Sequence, residues 1–437
     1  MCCQSYASLG TKASLTTLAA RLGTRSYTTS SRLLNCGALY NKYQLPFRPS
    51  LLPAPVQKYT PAASSSSSSS SFSTPFPLFQ QATFTTTRPA SMKALVYKSA
   101  GVVGIEERPN PTIQSPTDAI VKLTHTTICG TDLHIIKGDV PTAQPGRVLG
   151  HEGVGVVQEV GSSVQGFVCG DAVLISCITA CGACPACRKG MSSHCVSGGW
   201  ILGNKIDGTQ AEYVRIPHAA SSLHKLPKTV DLQAAVMLSD ALPTAMECGT
   251  LNGKVQPGST VAVIGAGAVG MSVMMTAMLY SPALLVMVDV DDGRLAMAKN
   301  LGAHETVNSK DSKQAVDSLL KMTDGQGFDA VIEAVGIPHT FHLCQELVAP
   351  GGVIANVGVH GTKVELSLDK LWDRNICITT RLVDAVTTPM LLKLFQAGRL
   401  DTSKLTTHRF SFKECEEAYK VFGAAAQHNA LKVLLSM

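Results

Sequence analysis

Residues 261–270, VAVIGAGAVG, decide the fold: an apolar, β-branched strand runs into glycines spaced G-x-G-x-x-G and then into a helical pattern, VGMSVMMTAMLY. The glycines have separate jobs. Gly265 permits the tight turn at the strand's end, Gly267 lets a phosphate come up against the backbone, and Gly270 lets the helix lie close to the strand. The first helical residues, Ala268 and Val269, turn their free N–H groups toward that phosphate. A second apolar strand, ALLVMVDV, closes at Asp289, 24 residues after Gly265. A carboxylate there accepts hydrogen bonds from an adenosine's ribose hydroxyls and repels a 2′-phosphate, so the spacing favours NAD over NADP. Arg294, in the next turn, is read as a contact on the adenosine side. The competing reading of Asp289 is a solvated loop acid.

The alternation continues through RLAMAKNLGA, FDAVIEAVG and VIANVGV. It predicts an α/β unit over residues 242–384, built on a doubly wound parallel sheet. Residues 255–288 carry no charge, which a hydropathy scan would read as a membrane span. Gly265, Gly267, Gly270 and Pro282 instead divide that run into strand, turn, helix and strand, and a strand buried on both faces is continuously apolar. No membrane partner is expected. Met271, Met274, Met275 and Met278 are assigned to the core. Upstream, residues 92–241 are rich in Gly and Pro with short alternating strands such as MKALVYKS, a β-rich domain. Downstream, PMLLKLFQAG and KECEEAYKVFG, within 385–437, are expected to return to that β-rich domain.

A loop inside it, CGACPACRKGMSSHC, places cysteines at 181, 184, 187 and 195. Thiolates at this spacing converge on a tetrahedral zinc with modest backbone curvature, and four protein ligands leave no position open for chemistry, so the site is structural. A C-x-x-C redox pair is the alternative; two overlapping copies and a fourth cysteine count against it. Nearby Cys177 reads as an ordinary buried thiol, and Trp200 as packing beside the loop. Cys129, His151, Glu152 and Asp240 form a dispersed second set. Spacing alone does not assemble it, since Cys129 reads blandly as a buried thiol, His151 as a loop histidine and Asp240 as a helix N-cap.

The formal charge of +6 arises from 37 Lys plus Arg against 31 Asp plus Glu. Eight of the basic residues (Lys12, Arg21, Arg25, Arg32, Lys42, Arg48, Lys58 and Arg88) lie in residues 1–92, which hold no acid; the first acid is Glu106. The remainder is near neutral and shows no basic stripe, which excludes a nucleic-acid partner. The acid-free start, with its arginines, hydroxyl residues and a Leu15, Leu18, Leu22 stripe, has the composition of a mitochondrial transit peptide cut near Thr28. A Ser- and Pro-rich linker follows to residue 91. The expected location is the mitochondrial matrix, with a cytosolic form possible from a start at Met92. A reducing matrix argues against a disulfide framework.

Together these motifs resemble the zinc-containing alcohol dehydrogenases of the medium-chain dehydrogenase/reductase family, from about residue 92 to the C-terminus. The resemblance rests on GHEGVGVV at Gly150–Val157, the cysteine lobe at 177–196, the dinucleotide fingerprint, and the distance from Asp240 to Gly265. It implies a GroES-like catalytic domain, a Rossmann coenzyme domain and an active site in the cleft between them. It also implies two zinc ions per subunit and NAD as coenzyme. By position, Cys129, His151 and Asp240 match catalytic zinc ligands, and Glu152 an acid behind them that can also approach the metal. Thr131 matches the hydroxyl bonded to the substrate oxygen, and His134 the distal proton relay. Val335, Gly336, Val357 and Gly358 match positions lining the coenzyme cleft, and Lys432 one near the pyrophosphate. The implied reaction moves hydride from a primary or small secondary alcohol to NAD. Gly130 departs from the family, where Arg or His often contacts pyrophosphate. CGTDLH is also similar to polyol and threonine-type amino-alcohol dehydrogenases, and an inactive zinc- and NAD-binding protein is a further alternative. The length of residues 92–437 is similar to the tetrameric branch, which implies a homotetramer.

Overall fold

The computed structural model describes residues 91–437, so the transit-peptide and linker readings for residues 1–91 lie essentially outside the described residues. The decisive strand is the centre of a parallel sheet. Strands β1 (Thr260–Ile264), β2 (Leu284–Asp289), β3 (Glu305–Asn308), β4 (Phe328–Glu333), β5 (Val348–Asn356) and β6 (Cys377–Thr380) pair in the order β3-β2-β1-β4-β5-β6. Every pairing is parallel. The chain leaves β1 for β2 and β3 on one side and crosses back from β3 to β4 on the other, and the crevice at this switch point is where doubly wound sheets bind ligands.

Alternate residues explain why β1 and β2 are apolar throughout. Val261, Val263, Leu285 and Met287 face one layer, packing with Met271 and Met274 of helix α1 (Ala268–Met278). Ala262, Ile264, Val286 and Val288 face the other, against Phe328, Phe341 and Leu347, the last two on helix α4 (Pro338–Leu347). Helices α2 (Asp292–Asn300) and α3 (Ser312–Lys321) complete the crossovers. The uncharged run is thus a two-sided core, and no helix among the described residues is long and apolar enough to cross a membrane.

The preceding residues form a three-stranded sheet (Val102–Pro109, Ser91–Ser99, Arg147–Val148) and a larger, largely antiparallel one. The larger sheet includes Ala119–Ile128, Gly153–Val160 and Ala172–Ile175, and the last strand of the chain, Lys432–Ser436, joins it by pairing Val433 with Ile128. Residues near the C-terminus therefore lie beside the strand that delivers Cys129. Helix Thr388–Gln396 instead puts Leu391 and Leu392 into the cluster shared with β1 and with Leu238–Ala245.

Candidate active site

The fingerprint turn behaves as its three glycines require. Gly265 has φ +105°, and a Cβ there would come 2.6 Å from Val335 Cγ2. A Cβ on Gly270 would run into the Gly265 carbonyl oxygen, while one on Gly267 would meet nothing within 4 Å. The open position is where an anion has room to approach the backbone. Asp289 is buried rather than a solvated loop acid: Oδ2 accepts from Ala266 N (2.7 Å) and Oδ1 from Asp291 N (2.9 Å). It ties the end of β2 to the glycine turn. Arg294 is half-buried on α2, its backbone N–H capped by Asp291 Oδ1 (2.8 Å) and its Nε without a hydrogen-bond partner. Val335, 44 % exposed, stands in the loop after β4, and Val357 follows β5.

The dispersed set converges. One ligand atom from each of Cys129, His151, Glu152 and Asp240 lies within 4.8 Å of all the others. Cys129 starts helix Gly130–Lys137, His151 and Glu152 precede Gly153–Val160, and Asp240 precedes a helical run through Leu251. Asp240 stands at the N-cap position of Ala241–Thr244, but its side chain makes no capping hydrogen bond. Its Oδ1 accepts from Thr244 Oγ1 (2.8 Å), and Oδ2 faces Cys129 Sγ (3.8 Å) and His151 Nε2 (3.5 Å). Thr131 Oγ1 is 3.7 Å from Cys129 Sγ, which puts the hydroxyl beside the cluster. Burial opposes charge on His151, but Asp240 and Cys129 outweigh it and hold the imidazole well above its ordinary value. Burial also works against the Asp240 charge, and His151 reverses that, lowering the carboxyl.

A supporting layer escaped the sequence reading. Asp132 is buried with Oδ1 3.7 Å from His151 Nδ1. Its Oδ2 accepts from Cys129 N (2.9 Å) and Gln210 Nε2 (3.1 Å), and Gln210 Oε1 accepts from Tyr419 Oη (2.8 Å). Asp132 is visible in sequence only as the third residue after a helix start; nothing there shows it backing a histidine. Lys432 is not left free for a pyrophosphate: its Nζ ion-pairs with Glu152 Oε2, both side chains buried, because its strand runs antiparallel beside Thr127 and Ile128. Thr127 Oγ1 donates to the same oxygen, while Glu152 Oε1 has no partner. Trp200 does more than pack by the lobe, meeting the His151 ring edge to face at 6.4 Å. Cys177 is a buried thiol in one apolar cluster with Cys248, Val383 and Ala385, against which Trp200 and Val357 pack. His134 lies on the helix of Thr131, at the exposed side, with Nδ1 3.1 Å from Asp139 Oδ2.

The other four cysteines also gather, their sulfurs within 4.8 Å of one another. Backbone N–H groups of Cys187 and Val196 draw the Cys184 thiol down to about 6. Burial and then hydrogen bonding to Cys184 push Cys187 up to about 12. A cation would resolve that opposition by binding all four as thiolates. Both donor sets fit zinc: all-sulfur for a closed site, and sulfur, imidazole and carboxylate with a hydroxyl alongside for an open one.

Comparison with known proteins agrees with this chemistry. A profile described as "Alcohol dehydrogenase GroES-like domain" matches residues 115–228, and one described as "Zinc-binding dehydrogenase" matches 268–396. An alcohol dehydrogenase of Cupriavidus necator is 33 % identical over 373 residues, covering 79 % of this chain and 99 % of its own. The apo structure of zinc-dependent alcohol dehydrogenase 2 from a streptococcus is 52 % identical, with a TM-score of 0.77 over 79 % of this chain and 98 % of that one. An alcohol dehydrogenase structure from Escherichia coli CFT073, complexed with NADH, is 28 % identical with a TM-score of 0.73, covering 80 % of this chain and all of the other.

Proposed function

The chain belongs to the zinc-type alcohol dehydrogenases of the medium-chain dehydrogenase/reductase family, and from that premise we propose that it oxidises primary or small secondary alcohols with NAD, reversibly. It is an oxidoreductase that uses zinc and a nicotinamide coenzyme. The observation that carries the finer reading is the convergence of Cys129, His151 and Asp240, with the Thr131 hydroxyl beside them.

When bound, zinc supplies Lewis acidity toward an alcohol oxygen, and the nicotinamide ring supplies the hydride acceptor. Cys129, His151 and Asp240 hold the metal, and Asp132 orients His151 from behind. Thr131 is placed to accept the substrate's hydroxyl proton at Oγ1, and His134, at the exposed side of the same helix, is placed to release a proton to solvent. Lys432 keeps the Glu152 carboxylate engaged at the edge of the cluster. Gly267 admits the pyrophosphate, and Asp289 serves the adenosine ribose. That carboxylate at the end of β2 is the support for NAD over NADP. The polyol or threonine-type reading is retained as the alternative because CGTDLH fits it equally.

The test is zinc content of the full chain, as wild type, Cys129→Ser and Cys187→Ser, with reduced coenzyme formed from alcohols, polyols and threonine measured for NAD and NADP. Expected are two zincs in wild type, one in each variant, and loss of turnover in Cys129→Ser with its fold kept. A wild type with one zinc and full turnover in Cys129→Ser would sink the catalytic assignment. For location we propose the mitochondrial matrix, which fractionation checks: a full-length chain confined to the cytosol removes that reading.

A further inference from the structure

Glu333, the last residue of β4, lies in FDAVIEAVG with no chemical role assigned above, yet it is a fully buried acid at the switch-point end of its strand, 0 % exposed. Its Oε1 accepts three hydrogen bonds: from Val335 N (3.0 Å), Gly336 N (2.8 Å) and Thr340 Oγ1 (2.6 Å). Its backbone carbonyl accepts two more, from Val357 N (2.8 Å) and Gly358 N (3.1 Å). One residue therefore pins both loops that follow β4 and β5. They are pressed together: Gly336 has φ +90°, and a Cβ on it would strike the Val359 carbonyl. Val335 in turn braces the Gly265 turn.

The charge of Glu333 is answered at one oxygen only. Three donors on one oxygen suit a carboxylate rather than an acid. The other oxygen, Oε2, has no hydrogen-bond partner. Among the described residues its ion-pair-range neighbour is His360, whose Nε2 lies 3.5 Å away and sits closer, at 2.8 Å, to Asn356 Oδ1. A carboxylate buried without full compensation is costly to keep. In a doubly wound sheet the dinucleotide crosses the switch point, so a coenzyme with its adenosine at Asp289 on the β2 side carries its nicotinamide half to the β4 and β5 side. The oxidised ring is cationic and the reduced ring neutral.

We propose that Glu333 is a positioning residue of the coenzyme site with a second, electrostatic effect: it fixes the Val335 and Val357 loops, and its charge favours the oxidised nicotinamide over the reduced one. This rests on the nicotinamide-coenzyme reading above. The test is the dissociation constants of NAD and NADH on the full-length protein, by fluorescence or calorimetry, with zinc content and melting temperature as controls. Glu333→Gln keeps an acceptor and removes the charge; it is expected to weaken NAD by about fivefold, the scale of one partly screened charge, while NADH changes by less than about twofold. Glu333→Asp, which keeps the charge, should retain the wild-type ratio. Equal weakening of both forms by Glu333→Gln, or no change in either, overturns the electrostatic claim. Should that variant not fold, Thr340→Val carries the test, since it removes one donor and keeps the charge. It should weaken both forms by about two- to threefold at a constant ratio, and unchanged constants overturn the positioning role. A zinc-loaded wild type that binds neither NAD nor NADH overturns the coenzyme reading, and this inference with it.

Discussion

At the scale of single residues, two substitutions separate what folds the protein from what it binds. Gly267→Ala adds a methyl where the backbone, at φ −75°, already suits any residue and nothing lies within 4 Å. The fold should be kept, within about 1 kcal/mol, while coenzyme affinity falls by about tenfold or more because the methyl occupies the anion's approach. Gly270→Ala drives its methyl into the Gly265 carbonyl oxygen and should lower the melting temperature outright. Equal melting losses in the two would refute the division. The Lys432 and Glu152 pair supplies another prediction. Both are buried, so Lys432→Met leaves a carboxylate without its cation and should cost about 3–5 kcal/mol in urea unfolding. Adding Glu152→Gln should recover most of it. A double variant no better than the single one would mean the pair is not the source of the loss.

Elements behave according to what their ends are tied to. The cysteine lobe is anchored from outside by Asp384, whose Oδ1 accepts from Ser193 N (2.9 Å) and Ser193 Oγ (2.6 Å) and whose Oδ2 accepts from Arg381 Nη2 (2.7 Å). Glu247 accepts in turn from Asp384 N (2.8 Å), on the helical run that begins after Asp240. Asp384→Ala strands these donors; it should cost about 2 kcal/mol and speed loss of zinc from the lobe to a chelator, seen as a faster release phase with the second zinc retained longer. A release profile identical to wild type would show that the cysteines hold their geometry unaided. The edge strand Leu223–Lys225 is expected to respond to pH. Burial pushes His224 below its ordinary 6.5, so the imidazole protonates more readily in the unfolded chain than in the fold. The unfolded state then binds more protons as pH drops through that value, and stability falls with acidification. Melting temperature should decline from about pH 7.5 to about pH 5.5, and His224→Gln should flatten the decline. An unchanged slope would assign the acid sensitivity to other groups.

Over the whole molecule, legibility followed sequence distance. The glycine turn, Asp289 and the four-cysteine lobe are local patterns whose partners lie within a few tens of residues, so their spacing alone carried the chemistry. Cys129, His151 and Asp240 are joined by the fold, and only resemblance to a family grouped them in advance. Asp132, Lys432 and Glu333 were passed over or misplaced because their roles depend on what antiparallel pairing or strand ends bring opposite them, which no periodicity encodes. Assembly is subject to the same limit, but the surface offers a physical argument. β3 ends the parallel sheet with the polar residues Glu305, Thr306 and Asn308. At the other edge, Ile378 of β6 is 37 % exposed, and in the segments flanking the strand Leu368 is 60 %, Trp372 76 %, Leu382 45 % and Val386 49 % exposed. An unpaired strand with large apolar side chains around it is a poor surface to leave in water, and covering one indole removes about 150–250 Å² from solvent. A second copy of the chain presenting the same edge satisfies both the backbone and the apolar groups by two-fold symmetry. Sedimentation of the full-length protein should therefore show a species larger than one chain, and on that ground we propose the homotetramer that the family resemblance implies. Trp372→Glu combined with Ile378→Lys, both at exposed positions, should shift it to smaller species without unfolding it. If the wild type sediments as a single chain at micromolar concentration, this edge is not an interface between copies and the tetramer proposal falls.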